Sequence, residues 1–219
     1  REFDHPSEVF VTLAKKYQPQ KITSLQPSNI RKLGVAKAIE WRAKDKILIE
    51  GILVLPVNHK KDKPLPLIVA CHGGPNGSWP EAFIGSAEEQ TVPISFGLLA
   101  DSGYAVLAPN PRGSIAYGPG FTIKNFKDLG GNDLQDIFSG IDELIAQGIA
   151  DKDRLAIWGW SYGGYLSSRA ITQTSRFKAA IVGAGLTNLI SFSGTSDIGT
   201  AYLPSYFDNS HLHKPEAPN

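Results

Sequence analysis

The chain has 219 residues, of which 42% are apolar, and this is enough to bury a sizeable core. Its 22 basic and 21 acidic residues are almost balanced, and no apolar run approaches the roughly 18 residues of a membrane span, so neither nucleic acid nor a membrane is expected as a partner. The single cysteine, Cys71, excludes an intramolecular disulfide and fits a reducing cytoplasm without establishing it.

The first 33 residues are polar and interrupted by prolines, and only residues 8–13 predict a short strand. On pattern alone this stretch is interpreted as a leader. From Gly34 the pattern changes, because residues 35–42 and 46–55 are both rich in β-formers and predict a hairpin. The continuous apolar run at 65–71 then predicts a strand that is buried on both faces of a parallel sheet.

Residues 96–100 predict a helix, and residues 104–108 predict the next buried strand. The strongest helix prediction covers residues 132–147, where one apolar stripe recurs at helical spacing: Leu134, Ile137, Phe138, Ile141, Leu144 and Ile145. Asn132 or Asp133 is expected to cap its start, and Gly148 is expected to end it. Asp133 and Asp136 are therefore interpreted as helix-start residues without a catalytic role.

Three further elements follow, a strand at 154–158, a helix at 162–172 and a strand at 178–184. Strands that alternate with helices on short connections predict an α/β fold with a mostly parallel sheet covered by helices on both faces. After Gly185 the sequence predicts no further strand. Six strands are therefore counted from residue 34 onward, and the sheet is expected to stop after the sixth.

The pattern G-x-S-x-G occurs at 159–163, where a predicted strand runs directly into a predicted helix. A sharp turn at this point lifts the hydroxyl of Ser161 above the sheet, and side chains at positions 159 and 163 would collide. An ordinary glycine-rich turn is the alternative interpretation. The strand before the pattern and the helix after it favour Ser161 as a catalytic nucleophile.

A second motif, H-G-G-P, occurs at 72–75, directly after a predicted strand. In an α/β-hydrolase the loop at this place supplies one donor to the oxyanion, and the residue after the nucleophile supplies the other. The expected donors are the amide of Tyr162 and an amide near Gly73 or Gly74. His72 lies on the wrong loop for a general base, and we interpret it as a residue that shapes the oxyanion turn.

Three motifs occur in this order: H-G-G-P at 72–75, P-R-G-S-x-x-Y-G at 111–118 and G-W-S-Y-G-G-Y at 159–165. With them the chain resembles the prolyl oligopeptidase family of serine peptidases. The resemblance is greatest to its acylaminoacyl-peptidase and dipeptidyl-peptidase-like branch, and it covers roughly residues 34–200. It implies an α/β-hydrolase fold, hydrolysis of short peptides through an acyl-enzyme at Ser161, and no cofactor or metal. It also implies two domains: residues 1–33 would be the exit segment of a β-propeller, and residues 34–219 a catalytic domain that is incomplete at its C-terminus.

The resemblance further places His72, Arg112 and Tyr117 on loops at the substrate side of the sheet. For Arg112 and Tyr117 a purely structural role stays equally open, with the guanidinium bracing neighbouring loops and the tyrosine packing at a glycine-rich turn.

The family's triad requires an acid and then a histidine after the nucleophile in chain order. Two acids and then two histidines follow Ser161 in the required order, but none of them follows a predicted strand. These residues are therefore interpreted as loop or tail: Asp197, Asp208, His211 and His213. The two histidines lack a third ligand for a metal site. The triad Asp and His are therefore expected outside these 219 residues, and this chain alone is expected to be inactive. A carboxylesterase and a degenerate hydrolase that only binds a partner stay open as alternatives.

Overall fold

The computed structural model describes residues 3–25, 32–60, 63–85 and 94–207. Its strands are β1 Phe10–Leu13, β2 Lys16–Lys21, β3 Val35–Arg42, β4 Leu48–Leu55, β5 Leu65–Cys71, β6 Ala105–Asn110, β7 Ala150–Trp160 and β8 Phe177–Gly183. Its helices are α1 Phe96–Asp101, α2 Pro119–Thr122, α3 Asn132–Ala146, α4 Tyr162–Gln173, α5 Leu189–Thr195 and α6 Gly199–Tyr206, with a single 3-10 turn at Ile123–Asn125.

The main sheet has six strands in the order β3-β4-β6-β5-β7-β8. Strands β3 and β4 form the predicted antiparallel hairpin, and β4 pairs antiparallel with β6. The remaining neighbours are all parallel. The carboxyl ends of β5, β6, β7 and β8 therefore meet at one edge of the sheet, where ligands bind in open α/β folds. The predicted α/β-hydrolase architecture, with its mostly parallel sheet, is confirmed.

Helices cover the sheet on both faces because side chains of each strand alternate between them. On one face the apolar stripe of α3 and the buried side of α4 pack on residues such as Leu53, Val69 and Ile157. On the other face α1 and Trp79 pack on a second cluster that includes Val54. The stripe predicted from helical spacing is thus the face of α3 that contacts the sheet.

The N-terminal segment contains more structure than its composition indicates. Strand β1 lies within the predicted strand at 8–13, and it pairs antiparallel with β2, which the sequence analysis missed. The side chains of both strands are exposed throughout. Pro19 lowers the strand signal of β2, although proline is acceptable in a strand whose edge is unpaired. The exit from a β-propeller stays a prediction for this segment.

The predicted N-cap of α3 is wrong, whereas Gly148, with φ 70°, ends the helix after the C-cap residue Gln147 as predicted. The residue before the helix is Gly131, which makes no side-chain cap, and the carboxylate of Asp128 accepts the backbone N–H of Asn132 at 3.0 Å instead. Asp133 lies in the first turn of α3, as predicted, and both Asp133 and Asp136 are buried. Their partners are Tyr162 and Arg112, which lie far away in sequence and could not be read from the local pattern.

Candidate active site

Ser161 lies between the end of β7 and the start of α4, as the motif predicts. Its backbone has φ 57° and ψ −120°, a conformation that L residues seldom adopt and that costs of order 1–3 kcal/mol. Two hydrogen bonds hold it there: the Ser161 N–H donates to the carbonyl of Gly183 at 2.9 Å, and the Tyr165 N–H donates to the carbonyl of Ser161 at 3.0 Å. The turn therefore presents Ser161 at the carboxyl edge of the sheet.

Four backbone segments, β5, β7, α4 and β8, meet at the glycines of the motif and at Gly164, which follows it. A Cβ atom on Gly163 would lie 2.1 Å from the carbonyl oxygen of Cys71 at the end of β5. A Cβ atom on Gly159 would lie 2.4 Å from the carbonyl carbon of Gly163, and one on Gly164 would lie 2.3 Å from the carbonyl oxygen of Gly183. Only glycine allows α4 to approach β5, β7 and β8 this closely, and at 159 and 163 this is the collision expected from the sequence.

The loop with H-G-G-P lies against Ser161. A Cβ atom built on Gly73 would be 3.5 Å from the Cβ of Ser161, so the two turns are in van der Waals reach. Gly74 has φ 127°, which favours glycine, and the amide of Gly77 closes the loop by donating to the carbonyl of Gly73 at 3.2 Å. Tyr162 is the first residue of α4, and N–H groups at this end of a helix have no partner within it.

His72 is buried, and its ring is held from both sides. Its Nδ1 lies 2.8 Å from the carbonyl oxygen of Gly73, and its Nε2 lies 3.0 Å from the hydroxyl of Ser114, which itself donates to the carbonyl of Pro111 at 2.7 Å. Burial lowers the pKa of His72 to about 4, so the ring is neutral at pH 7. These contacts tie the ring to the turn at Gly73 and to the loop after β6, and a role of His72 in shaping an oxyanion turn stays a prediction.

Arg112 braces the loop that follows β6. Its Nε and Nη2 donate to the two oxygens of Asp136 at 2.8 and 2.7 Å, and its Nη1 and Nη2 donate to Asp45 at 2.8 and 3.0 Å. Hydrogen bonds to Asp136 and Asp45 hold the pKa of Arg112 above its usual value. The guanidinium thus ties the loop to α3 and to the turn between β3 and β4, as the structural interpretation of Arg112 expects.

Tyr117 has a similar set of contacts. Its hydroxyl donates to Glu50 at 2.8 Å and accepts a hydrogen bond from the amide of Asn110 at 2.9 Å. Burial raises the pKa of Tyr117 above its ordinary value. Asn110 in turn bonds the backbone of Trp79, so the loops after β5 and β6 are fastened to each other. A contact of Tyr117 or Arg112 with substrate stays a prediction.

The sequence analysis missed a buried pair beside the strand-to-helix turn at 159–163, which we call the elbow. The Tyr162 hydroxyl donates to Asp133 at 2.5 Å, and both residues are buried. Asp133 precedes Ile137 by four residues, and residues at this spacing lie on the same face of a helix. An acid on an apolar stripe is therefore a signal that a buried partner exists, although the pattern cannot name the partner.

The candidate acids and bases downstream are mostly outside the described residues. Asp208, His211 and His213 fall in the undescribed C-terminal stretch. Asp197 is exposed after α5, and the hydroxyl of Ser196 donates to its carboxylate at 3.3 Å. Within the described ranges no group of acidic, histidine and cysteine side chains is arranged to hold a metal ion, and no helix is long and apolar enough to cross a membrane.

Comparisons with known proteins agree with this geometry. The model of the prolyl oligopeptidase family (Peptidase_S9) matches residues 91–216. The chain is 33% identical over 199 residues to the uncharacterized peptidase YuxL of Bacillus subtilis, covering 90% of this chain and 29% of that protein. It is also 33% identical to the acylamino-acid-releasing enzyme of Arabidopsis thaliana, covering 78% of this chain and 21% of that protein.

Solved structures of peptidases are also similar to this chain. An acylaminoacyl peptidase in complex with Z-Gly-Gly-Phe-chloromethyl ketone superimposes with a TM-score of 0.82 at 28% identity, covering 97% of this chain and 33% of that one. A puromycin-hydrolyzing peptidase of Mycobacterium tuberculosis gives 0.78 at 26% identity, covering 93% and 31%. The chain thus spans a third or less of the length of these proteins. Because the family model covers more than half of the chain, and the fold agrees, the chain belongs to the prolyl oligopeptidase family.

Proposed function

We propose that the complete protein is a serine peptidase that hydrolyses short peptides through an acyl-enzyme formed on Ser161. The observation that carries the proposal is the strained turn of Ser161 at the carboxyl edge of the sheet, with the loop of Gly73 in contact with it. A turn that costs backbone strain persists where the surrounding structure enforces it, and such strain clusters at active sites. The similarity to the peptidases named above supports the same reaction.

In this proposal the Ser161 oxygen attacks the peptide carbonyl carbon, and the carbonyl oxygen becomes an oxyanion. The amide of Tyr162 and an amide near Gly73 or Gly74 donate hydrogen bonds to it. Each such donor contributes about 2.7–4 kcal/mol to the stability of the transition state. The N-terminus of α4 adds the positive end of a helix dipole at the same place.

The general base and its acid come, in our proposal, from a part of the protein that follows β8. A serine hydroxyl at its ordinary pKa is a poor nucleophile without an adjacent base. In α/β-hydrolases the acid and the histidine follow the nucleophile in chain order. We assign residues 34–219 to the catalytic domain, and residues 1–33 to the exit of a preceding β-propeller. The exposed apolar side chains of the β1–β2 hairpin, such as Phe10 and Leu13, support a neighbouring domain there.

The first substrates to test are short peptides with an acylated N-terminus. The similarity to an acylamino-acid-releasing enzyme and to an acylaminoacyl peptidase motivates this choice. Unblocked dipeptide and tripeptide amides make the matched comparison. A p-nitrophenyl ester should accompany them, because a carboxylesterase with the same nucleophile would hydrolyse the ester and leave the peptides intact.

The test uses the complete protein, its Ser161→Ala variant and the chain 1–219 alone. We expect the complete protein to cleave the peptides and to be labelled by a fluorophosphonate at Ser161. The Ser161→Ala variant should lose both properties while it still binds substrate, because only the covalent route is removed. The chain 1–219 should be labelled slowly, because in our proposal the general base lies outside it.

Each contrary outcome has a separate meaning. Peptide turnover by purified Ser161→Ala protein would reject the nucleophile. Binding of peptides by the complete protein without any turnover would favour the degenerate hydrolase. Fast labelling of the chain 1–219 would place a base within it, and His211 and His213 would then be the residues to replace.

A further inference from the structure

A buried pair of hydroxyl and carboxylate groups lies directly behind the elbow. The phenol hydroxyl of Tyr162 donates to Asp133 Oδ2 at 2.5 Å and accepts a hydrogen bond from the Gly130 N–H at 3.1 Å. Asp133 is 1% exposed and Tyr162 is 2% exposed, so water does not compete for either group. The pair joins the start of α3 to the first residue of α4.

The setting of Asp133 favours a single, fixed arrangement. Its Oδ1 accepts the backbone N–H of Leu134 at 2.8 Å, and the N–H of Gly130 lies 3.4 Å from its Oδ2. The first turn of α3 adds the positive end of the helix dipole. Burial still raises the pKa of Asp133 to about 6, because desolvation outweighs these donors. An acid at this depth is tolerated only with its hydrogen bonds intact, so the Tyr162 ring has little freedom to move.

Tyr162 is also the residue whose backbone faces the proposed reaction. Its amide is the proposed oxyanion donor, and this amide nitrogen is bonded to the Cα that carries the ring held by Asp133. On the other side of the elbow, the Ser161 N–H is fixed by the carbonyl of Gly183 at 2.9 Å. The peptide unit between Ser161 and Tyr162 is therefore restrained at both of its ends.

We propose that Asp133 is a positioning residue of this site, which orients the Tyr162 amide toward the oxyanion by anchoring the Tyr162 hydroxyl. The proposal rests on the proposed function, because the oxyanion exists only if Ser161 forms an acyl-enzyme. Asp133 touches no reacting atom. Its removal should therefore weaken stabilisation of the transition state and leave substrate binding unchanged.

The experiment compares variants of the complete protein: Asp133→Asn, Tyr162→Phe and the double variant. The matched control is Tyr165→Phe, which removes only the hydroxyl that ties α4 to the Leu129 carbonyl before α3. It keeps the Tyr165 N–H that bonds the Ser161 carbonyl and the ring that packs beside Tyr162. For each variant we would measure kcat, KM and the thermal midpoint. We would also measure the inhibition constant of a peptide aldehyde, whose adduct on Ser161 carries the tetrahedral oxygen.

We expect kcat to fall by up to about 100-fold in Asp133→Asn and in Tyr162→Phe, with KM close to that of the parent, since small misplacements of a catalytic group have effects of this size. The aldehyde should bind more weakly by a similar factor. The double variant should be no worse than the single ones, because both remove the same link. Tyr165→Phe should keep the kcat of the parent.

Normal kcat and normal aldehyde affinity in Tyr162→Phe would overturn the proposal. This variant keeps the ring and its packing, so it decides the question even where Asp133→Asn does not fold. Losses that add in the double variant would also overturn it, since Asp133 would then act by another route. Full activity of Ser161→Ala would instead reject the proposed function, and the two failures are therefore distinguishable.

Discussion

The turn that presents Ser161 depends on a few backbone approaches that a single methyl group would prevent. Gly163 contacts the carbonyl group of Cys71, which belongs to the neighbouring strand and has no room to retreat. This contact fastens the elbow to the end of β5, directly before the loop of Gly73. The geometry of the Ser161 turn and that of the loop at Gly73 therefore depend on the same contact.

Gly163→Ala should destabilise the catalytic domain and reduce peptide turnover. The added Cβ would lie 2.1 Å from the Cys71 carbonyl oxygen, so the two backbones must separate. Overpacking of this kind costs about 1–3 kcal/mol or more. Urea unfolding and peptide turnover of the complete protein provide the measurement. Gly120→Ala is the control, because a Cβ there meets no atom within 4 Å, and its midpoint should stay near that of the parent. Equal midpoints in both variants would contradict the prediction.

At the scale of single residues, the sequence predicted what local geometry determines. The position of Ser161 on the turn, the need for glycine at 163 and the proximity of Gly73 all follow from a short motif between a strand and a helix. The contacts of Asp133 and Asp136 do not follow from any motif. Their partners lie 29 and 24 residues away, and only the folded sheet brings them together.

The brace at Arg112 acts at the scale of elements, since it joins the loop after β6 to α3 and to the β3–β4 turn. The Asp136 side chain is fully buried, and Asp45 is half exposed. The bond to Asp136 is therefore the one that matters for stability. The indole of Trp41 strengthens the same junction, because it donates to the carbonyl of Asp136 at 2.8 Å.

Arg112→Met should destabilise the domain by about 3–5 kcal/mol, because it leaves the Asp136 carboxylate buried without its cation. The control Arg154→Met removes an exposed pair with Asp151 and should cost about 0–1 kcal/mol. In the parent the backbone N–H of residue 112 also donates to the Asp136 carboxylate, at 2.9 Å. Adding Asp136→Asn to Arg112→Met removes the unpaired charge and keeps a side-chain oxygen that accepts this backbone N–H. Unfolding in urea should then show partial recovery. If Arg112→Met is no worse than Arg154→Met, the brace does not stabilise the domain.

Elements with a strong periodic pattern were predicted well, and short or polar elements were not. The six strands of the main sheet and α3 carry long apolar runs or a clear stripe, so tertiary packing agrees with local preference. Strand β2 is polar and contains Pro19, and its signal is too weak to stand alone. Helices α5 and α6 are short and rich in small residues, and α6 contains Pro204, so neither has a helical pattern that could be recognised.

For the molecule as a whole, the edge strand β8 is the feature with the largest consequence. Among the described residues it pairs with β7 on one side only. Its apolar side chains are also uncovered, since Ile181 is 65% exposed and Val182 is 40% exposed. These two residues point to opposite faces of the sheet, so both faces of β8 lack cover. An uncovered apolar edge strand is a template for association with other chains.

We predict that the chain 1–219, expressed alone, associates or is marginally folded, and that the complete protein is not. Each exposed aliphatic side chain forgoes about 1.5–3 kcal/mol of burial, and domains commonly have only about 5–15 kcal/mol of stability. The substitution Ile181→Lys tests this prediction, because it should have opposite effects on the isolated chain and on the complete protein. On the isolated chain it should reduce association, because an edge charge opposes strand pairing. In the complete protein it should lower the thermal midpoint, because the position is then expected to be covered. Light scattering and thermal melts measure both effects, and a monodisperse isolated chain with a sharp transition at high temperature would contradict the prediction.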